Sequence, residues 1–240
     1  QDGDGDGIYA RRYLFGGSPR GDEFRVNQFT TGDQDDAQVA MDGEGNFVVA
    51  WTSDDQDGDG DGVYARRYSA EGTPLGDEFQ VNTETAANQH ALSAAMNASG
   101  QFVIVWHDYD YADGLWHVRA QRYDAGGAPA GGSLDVGAHN YVDYADVDMA
   151  DDGSFALSWY GDGEVYARQY GSDGLPSAGA FQVNTFTEGT QSYPSVNVDS
   201  TDHFTVAWTS YDQDGDGSGV YAQAYGADGT PAGSEFRVNE

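Results

Sequence analysis

The chain has 240 residues and no cysteine, which excludes disulfides, thiolate metal centres and cysteine nucleophiles. Its 41 acidic residues face 10 basic ones, all arginine, and the formal net charge of −31 argues against nucleic acid or anionic membrane as a partner, since phosphate contacts need basic side chains. With 38% hydrophobic and 13% aromatic residues a packed core is expected, and no apolar run reaches the ~20 residues that would insert across a bilayer.

In chain order, the opening QDGDGDG carries Asp2, Asp4 and Asp6 at alternate positions; it is neither a signal peptide nor a natural start and reads as a processed or excised product. IYARRY (8–13) follows, then a Gly/Pro turn and FRVN (24–27). From there a unit of four strand-like runs repeats, with runs named A to D. In its first full copy A is 39–41, B is 47–51, C is 63–68 and D is 79–81, separated by turns such as DGEGN and GTPLG. The B runs NFVVAWTS, QFVIVWHD, SFALSWYG and HFTVAWTS place Trp51, Trp106, Trp159 and Trp208 at spacings of 55, 53 and 49 residues. No segment shows the apolar period of a helix.

Run B is apolar at consecutive positions, which marks a strand covered on both faces. A four-stranded meander of this kind, repeated about every 50 residues, fits blades that pack against a neighbour on each side. The expected fold is therefore all-β: a β-propeller of four to five four-stranded blades built from ~50-residue repeats. It forms a single repeat domain over 1–240, with a partial repeat 1–37 and repeats of about 38–91, 92–144, 145–193 and 194–240. Runs C and D occur five times and A and B four times, so self-association through the terminal strands is expected.

The loops between B and C carry a ladder of aspartates alternating mainly with glycine: Asp55, Asp57, Asp59 and Asp61 in one copy, Asp212, Asp214 and Asp216 in another, and Asp2, Asp4 and Asp6 at the start. Alternate carboxylates on a flexible loop suit a hard cation with oxygen ligands, which points to Ca2+. The third copy swaps acids for rings. Tyr109, Tyr111, Trp116 and His117 stand in HDYDYADGLWHV, and His139, Tyr141 and Tyr144 follow in GAHNYVDYAD. Aromatic planes beside carboxylates make these the expected ligand-binding residues, for a glycan or cell-surface ligand. Arg11, Arg66, Arg119 and Arg168 on run C are expected to form cross-strand pairs and to stack on tyrosines. The five histidines lack zincin spacing, and neither G-x-S-x-G nor a phosphate loop is present. The expectation is a protein that is not an enzyme.

The unit F-x-V-N-T … V-A-W-T-S-x-D-Q-D-G-D-G-x-G-V-Y-A-x-x-Y resembles the Gly/Asp-rich repeats of large secreted bacterial proteins of the RTX and adhesin type, over nearly the whole chain. The resemblance implies a calcium-stabilised module, extracellular or at the cell surface, used for adhesion or glycan binding. Two other readings are open: a structural subunit of a surface layer or filament, and a polysaccharide-active enzyme.

Overall fold

The computed structural model describes residues 5–239, and among them there are eighteen strands and no helix. A two-stranded hairpin, β1 (Tyr9–Ala10) and β2 (Phe24–Arg25), precedes four antiparallel four-stranded sheets. The first is β3 (Gln34–Met41), β4 (Phe47–Asp54), β5 (Asp61–Tyr68) and β6 (Phe79–Gln80). The second is β7 (Gln89–Met96), β8 (Phe102–Asp110), β9 (Leu115–Tyr123) and β10 (Leu134–His139). The third is β11 (Val142–Met149), β12 (Phe155–Gly161), β13 (Glu164–Tyr170) and β14 (Phe181–Gln182), and the fourth is β15 (Gln191–Val198), β16 (Phe204–Tyr211), β17 (Ser218–Tyr225) and β18 (Phe236–Arg237). Each sheet is a simple meander, and the inner strands β3, β7, β11 and β15 neighbour one another in that order. This is the expected all-β propeller, with four full blades and the outer half of a fifth.

Burial explains the composition of run B. Every residue of β4 from Phe47 to Ser53 is buried, because its sheet packs on the hairpin through Phe47, Val49 and Trp51 and on the next blade through Val48 and Ala50. Trp51, Trp159 and Trp208 are each at most 1% exposed. Truncating one of them to alanine would cost about 3–5 kcal/mol in lost contacts and cavity.

The recurring FxVN has a definite task. Asn82 accepts from the Val63 amide at 2.8 Å and donates to Gln89 at 2.8 Å, so one side chain ties run D to run C and to the next inner strand. Asn27 does the same with Ile8 and Gln34. A second tie runs between blades. Arg12 donates to the Ala70 carbonyl at 2.6 Å, Arg67 to Ala125 at 2.6 Å, and Arg122 to Ser172 and Asp173 at 2.7 and 2.8 Å.

The inner strands are longer than the short A runs suggest. They begin at Gln34, Gln89, Val142 and Gln191, ahead of the repeat boundaries placed at about 38, 92, 145 and 194. A register break hides the extension. In β3 the residues 36 and 37 both oppose Trp51, in β11 144 and 145 oppose Trp159, and in β15 193 and 194 oppose Trp208. Such a two-for-one bulge interrupts the alternation by which a strand is read, and it accommodates Pro194, whose missing N–H costs nothing where the ladder is already broken.

Candidate functional site

Three of the inner-strand bulges open onto one axial pocket of about 690 Å³. Asp36, Tyr144 and Tyr193 occupy the same place in their strands, and each holds a left-handed backbone, with φ of 49°, 46° and 52°. Non-glycine residues in this region carry strain that a fold tolerates where it aims a side chain. The bulges turn these three side chains toward the axis. Tyr144 and Tyr193 meet there with ring centroids 4.4 Å apart. Because inner strands start where B strands end, the pocket lies at the end of the molecule that carries the B–C loops.

The carboxylates of the pocket divide by their partners. Asp146 is structural: it accepts from Ser93 at 3.0 Å, from Ser195 at 2.9 Å and from the Val196 amide at 3.0 Å, which joins three blades. Asp143 accepts from the Tyr141 hydroxyl at 3.0 Å and the Tyr144 amide at 2.9 Å, leaving lone pairs available. Asp36 makes no side-chain hydrogen bond among the described residues. Behind it, Asp35 is pushed above the usual carboxylate range by burial and then by the charge of Asp36.

Two histidines complete the wall. His90 and His107 face each other across β7 and β8 with ring centroids 5.2 Å apart. His90 lies 3.6 Å from Asp61, whose own pKa is raised by burial. His107 is pushed down to about 4, first by burial and then by the nearby His90, and its Nδ1 is buried without a hydrogen-bond partner. Tyr144 is pushed up to about 12 by its contact with Tyr193 and then by the charge of Asp143. The pocket thus offers carboxyl groups beside a His107 imidazole and a Tyr144 phenol that are both neutral at pH 7. Its lining includes no arginine or lysine.

The ring-rich third copy builds a different place. Arg119 stands where the other C strands carry Tyr9, Tyr64, Tyr166 and Tyr221, and Asp108 stands where two B strands carry Ser53 and Ser210. The pair meets at 3.2 Å, with Asp108 only 5% exposed. Arg119 also reaches Asp135 at 3.2 Å, and His117 bridges Asp135 at 3.1 Å and Asp113 at 3.0 Å. Tyr109 packs edge-on against Tyr111 and Trp116, and a cavity of about 440 Å³ opens between this cluster and Glu84. Arg11, Arg66 and Arg168 stack over Tyr13, Tyr68 and Tyr170 as expected; Arg119 does not.

The residues expected to bind ligand are therefore split. Tyr109, Tyr111, Trp116 and His117 lie at the β8–β9 tip. His139, at the end of β10 in the second full blade, meets Tyr166 of the third at 4.4 Å in a tilted contact, over Gly161, whose lack of a Cβ leaves room for the ring. Tyr141 and Tyr144 belong to the axial end. The repeat pattern does not mark Asp36, His90, His107, Asp143 or Tyr193: Asp36 and Tyr193 stand at the bulges, two places after the start of their inner strands, His90 and Asp143 stand one place after the start of theirs, and His107 lies on β8.

Asp2 and Asp4 lie outside the described residues. Asp6 donates its amide to Asp33 and accepts from Gln34 through its carbonyl. The two complete ladders fold into the same turn. Asp55 and Asp212 have φ of 54° and 60°, and their amides bond the carbonyls of Gly60 and Gly217. Asp57 accepts from Gln80 at 2.9 Å, whereas Asp214 pairs with Arg237 at 2.8 Å. Asp59 and Asp216 contribute amides to the same turns, and Asp61 begins β5. The turns are rich in oxygen, and in each the central carboxylate is engaged at both oxygens: Asp57 accepts from Gln80 and from the Asp59 amide, Asp214 from Arg237 and from the Asp216 amide. Among the described residues, the group of three whose ligand atoms lie within 4.8 Å of one another is Asp110, Asp113 and His117.

No protein-family model matches the sequence, and no curated protein matches it. Solved structures do match. A Dyadobacter fermentans protein of unknown function superposes with a TM-score of 0.60 at 9% identity, over 97% of this chain and 72% of its own. The β-propeller domain of the Trilobed protease from Pyrococcus furiosus, described as having an open velcro topology, gives 0.51 at 8%, over 86% and 57%. The Hadza microbial sialidase Hz136 gives 0.58 at 11%, over 98% and 52%. The chain thus spans about half the length of the sialidase. At these identities the likeness shows the propeller fold. It also corrects the expectation that the chain is not an enzyme, which rested on missing motifs: a chain that shares this architecture is itself an enzyme, the sialidase.

Proposed function

We propose that the chain is a carbohydrate-active propeller that takes a neutral glycan in its axial pocket and hydrolyses it with a pair of carboxyl groups, Asp36 and Asp143. The observation that carries the reading is the set of three bulges, which bring Asp36, Tyr144 and Tyr193 to one cavity from three different blades. A volume of about 690 Å³ is that of a ligand site. Tyrosine faces accept the apolar side of a sugar ring, and carboxylates accept from its hydroxyls. Glycoside hydrolysis asks for two carboxyl groups beside the scissile bond, one to protonate the leaving oxygen and the other to activate water or attack the ring carbon. Asp36 on β3 and Asp143 on β11 flank the sugar position from strands on either side of β7. A lining of carboxyl groups with no arginine or lysine disfavours uronic and sialic acids, whose carboxylates would meet like charge.

The test is release of reducing sugar from a panel of neutral polysaccharides, with a sialoside in parallel. Turnover of a neutral substrate, reduced about 100-fold or more in Asp143→Asn and Asp36→Asn, is the expected result. Full activity in both variants, or activity on the sialoside alone, overturns it.

The duplicated ladder turn favours a second, separate reading: a site for calcium. Asp55, Asp57 and Asp59 would hold the ion in one turn and Asp212, Asp214 and Asp216 in the other, with backbone carbonyls and water filling the shell. Bound there, calcium supplies charge neutralisation to a chain of net charge −31. Together with the repeat resemblance, this supports an extracellular setting.

A further inference from the structure

Tyr13, Tyr68, Tyr123, Tyr170 and Tyr225 hold one place in the repeat, each bridged to the proline six residues on. Four of them lie flat against a phenylalanine from strand B: Phe47 on Tyr68 at 5.0 Å, Phe102 on Tyr123 at 4.6 Å, Phe155 on Tyr170 at 4.8 Å and Phe204 on Tyr225 at 4.8 Å. These four tyrosines are at most 3% exposed; Tyr13 is 59% exposed and meets no ring among the described residues. The strand beside it shows the same deficit. Val39 on β3 is 65% exposed, whereas Val147 and Val196, its counterparts on β11 and β15, are each 5% exposed. Met41, two residues on, is 56% exposed. On the far side of the array Val238 is 55% exposed against 3% for its counterparts Val81 and Val183.

A groove of about 430 Å³ runs between β1 and β3, lined by Tyr13, Val39, Met41 and Phe47 among others. The edge of β1 opposite β2 pairs with no strand among the described residues. Arg11, Arg12 and Arg20, three of the ten basic residues of the chain, also line the groove.

We infer that this groove is a docking site for an antiparallel β-hairpin of the A–B form, the inner half of one further repeat, which would pair with β1 and turn the half-blade into a full one. The four complete blades specify the occupant. In each of them B lies on C in one register, with Phe opposite the last Tyr of C and Trp four residues on: Phe47 opposite Tyr68 and Trp51 opposite Tyr64 in one blade, Phe204 opposite Tyr225 and Trp208 opposite Tyr221 in another. The same register puts the incoming Phe on Tyr13 and the incoming Trp at Tyr9, with the A strand covering Val39 and Met41. Free backbone on β1 calls for polypeptide rather than sugar. Charge agrees as well, because A–B turns such as DGEGN and DSTDH are acidic and would arrive near Arg12 and Arg20.

The experiment titrates the full chain with a synthetic peptide of residues 190–211, an A–B hairpin of this repeat, and reads binding heat together with the melting temperature. Saturable binding that raises the melting temperature is expected. Tyr13→Ala, at an exposed position that leaves the fold intact, should weaken binding about two- to tenfold, the worth of one aromatic pair. A peptide carrying Phe204→Ala and Trp208→Ala should not bind. The inference is overturned by no binding up to about 1 mM peptide, or by equal binding in the Tyr13 variant and with the double-alanine peptide. It is equally overturned if sedimentation shows the chain covering the groove with a second copy of itself.

Discussion

Gly127 stands in the one spot where the guanidinium of Arg67 crosses from the preceding blade: a Cβ on Gly127 would collide with the Arg67 side chain, and the glycine has φ of 83°. Gly72 with Arg12 and Gly174 with Arg122 repeat the relationship. Charged hydrogen bonds to carbonyls contribute about 1.5–3 kcal/mol, so Arg67→Ala should lower the melting temperature by roughly 3–12 °C at this chain length. Gly127→Ala should destabilise as well, and less so in the Arg67→Ala background, where the collision is relieved. A double-mutant cycle by urea denaturation checks this, and strict additivity would show that the two residues are not coupled.

His107 makes stability depend on pH in a stated direction. Its folded pKa, about 4, lies below the ordinary 6.5 because burial penalises the charged ring. Between these values the unfolded chain binds the proton and the folded chain does not, so stability is intact above about 6.5 and is lost as pH falls toward 4, by up to about 3 kcal/mol. Asp35, Asp61 and Asp108, raised by burial, act with the opposite sign at the acid end, since protonation relieves them. His107→Gln should flatten the dependence between pH 7 and 4.5 in urea titrations. An unchanged slope would remove His107 as its source.

Calcium should stabilise beyond simple screening. At tenfold excess over its dissociation constant, each of the two described ladder turns would add about 1.4 kcal/mol, or roughly 5–10 °C in melting temperature for the pair. Calcium chloride is compared with sodium chloride at equal ionic strength. Asp57→Asn should halve the specific increment, and Arg237→Ala, which frees Asp214, should strengthen binding at the second turn. Identical melting curves in the two salts would leave the ladders as solvated acidic turns.

The blades were legible because their determinants are local and repeated: the doubly apolar B strand around each tryptophan, the FxVN asparagine and the Gly/Pro turn each recur in several copies. The axial site was not, because a bulge does not announce itself in composition. Asp36 and Tyr193 sit in ordinary acidic and aromatic surroundings, and only the two-for-one pairing opposite Trp51 and Trp208 aims them inward. Tyr144 follows Trp116 in the ring-rich third copy, but the fold separates the two, one at the axial pocket and the other at the β8–β9 tip. Arg119 was grouped with Arg66 by residue type, whereas its position is that of Tyr64, and the accompanying change of serine to Asp108 is what marks a buried ion pair.

Tyr144 and Tyr193 give the axial pocket its most specific test. They come from adjacent blades and present a tilted pair of rings 46° apart, a geometry that holds a sugar by stacking rather than by charge. Removing one ring should therefore weaken substrate binding more than it slows chemistry. Tyr193→Ala is expected to raise KM about five- to tenfold, the worth of roughly 1 kcal/mol of stacking, with kcat within about twofold, whereas Asp143→Asn should lower kcat with KM little changed. Tyr193→Phe should keep the ring and restore KM. If Tyr193→Ala and Asp143→Asn instead lose kcat in parallel at constant KM, the tyrosine pair supports the carboxylates and does not form the sugar platform.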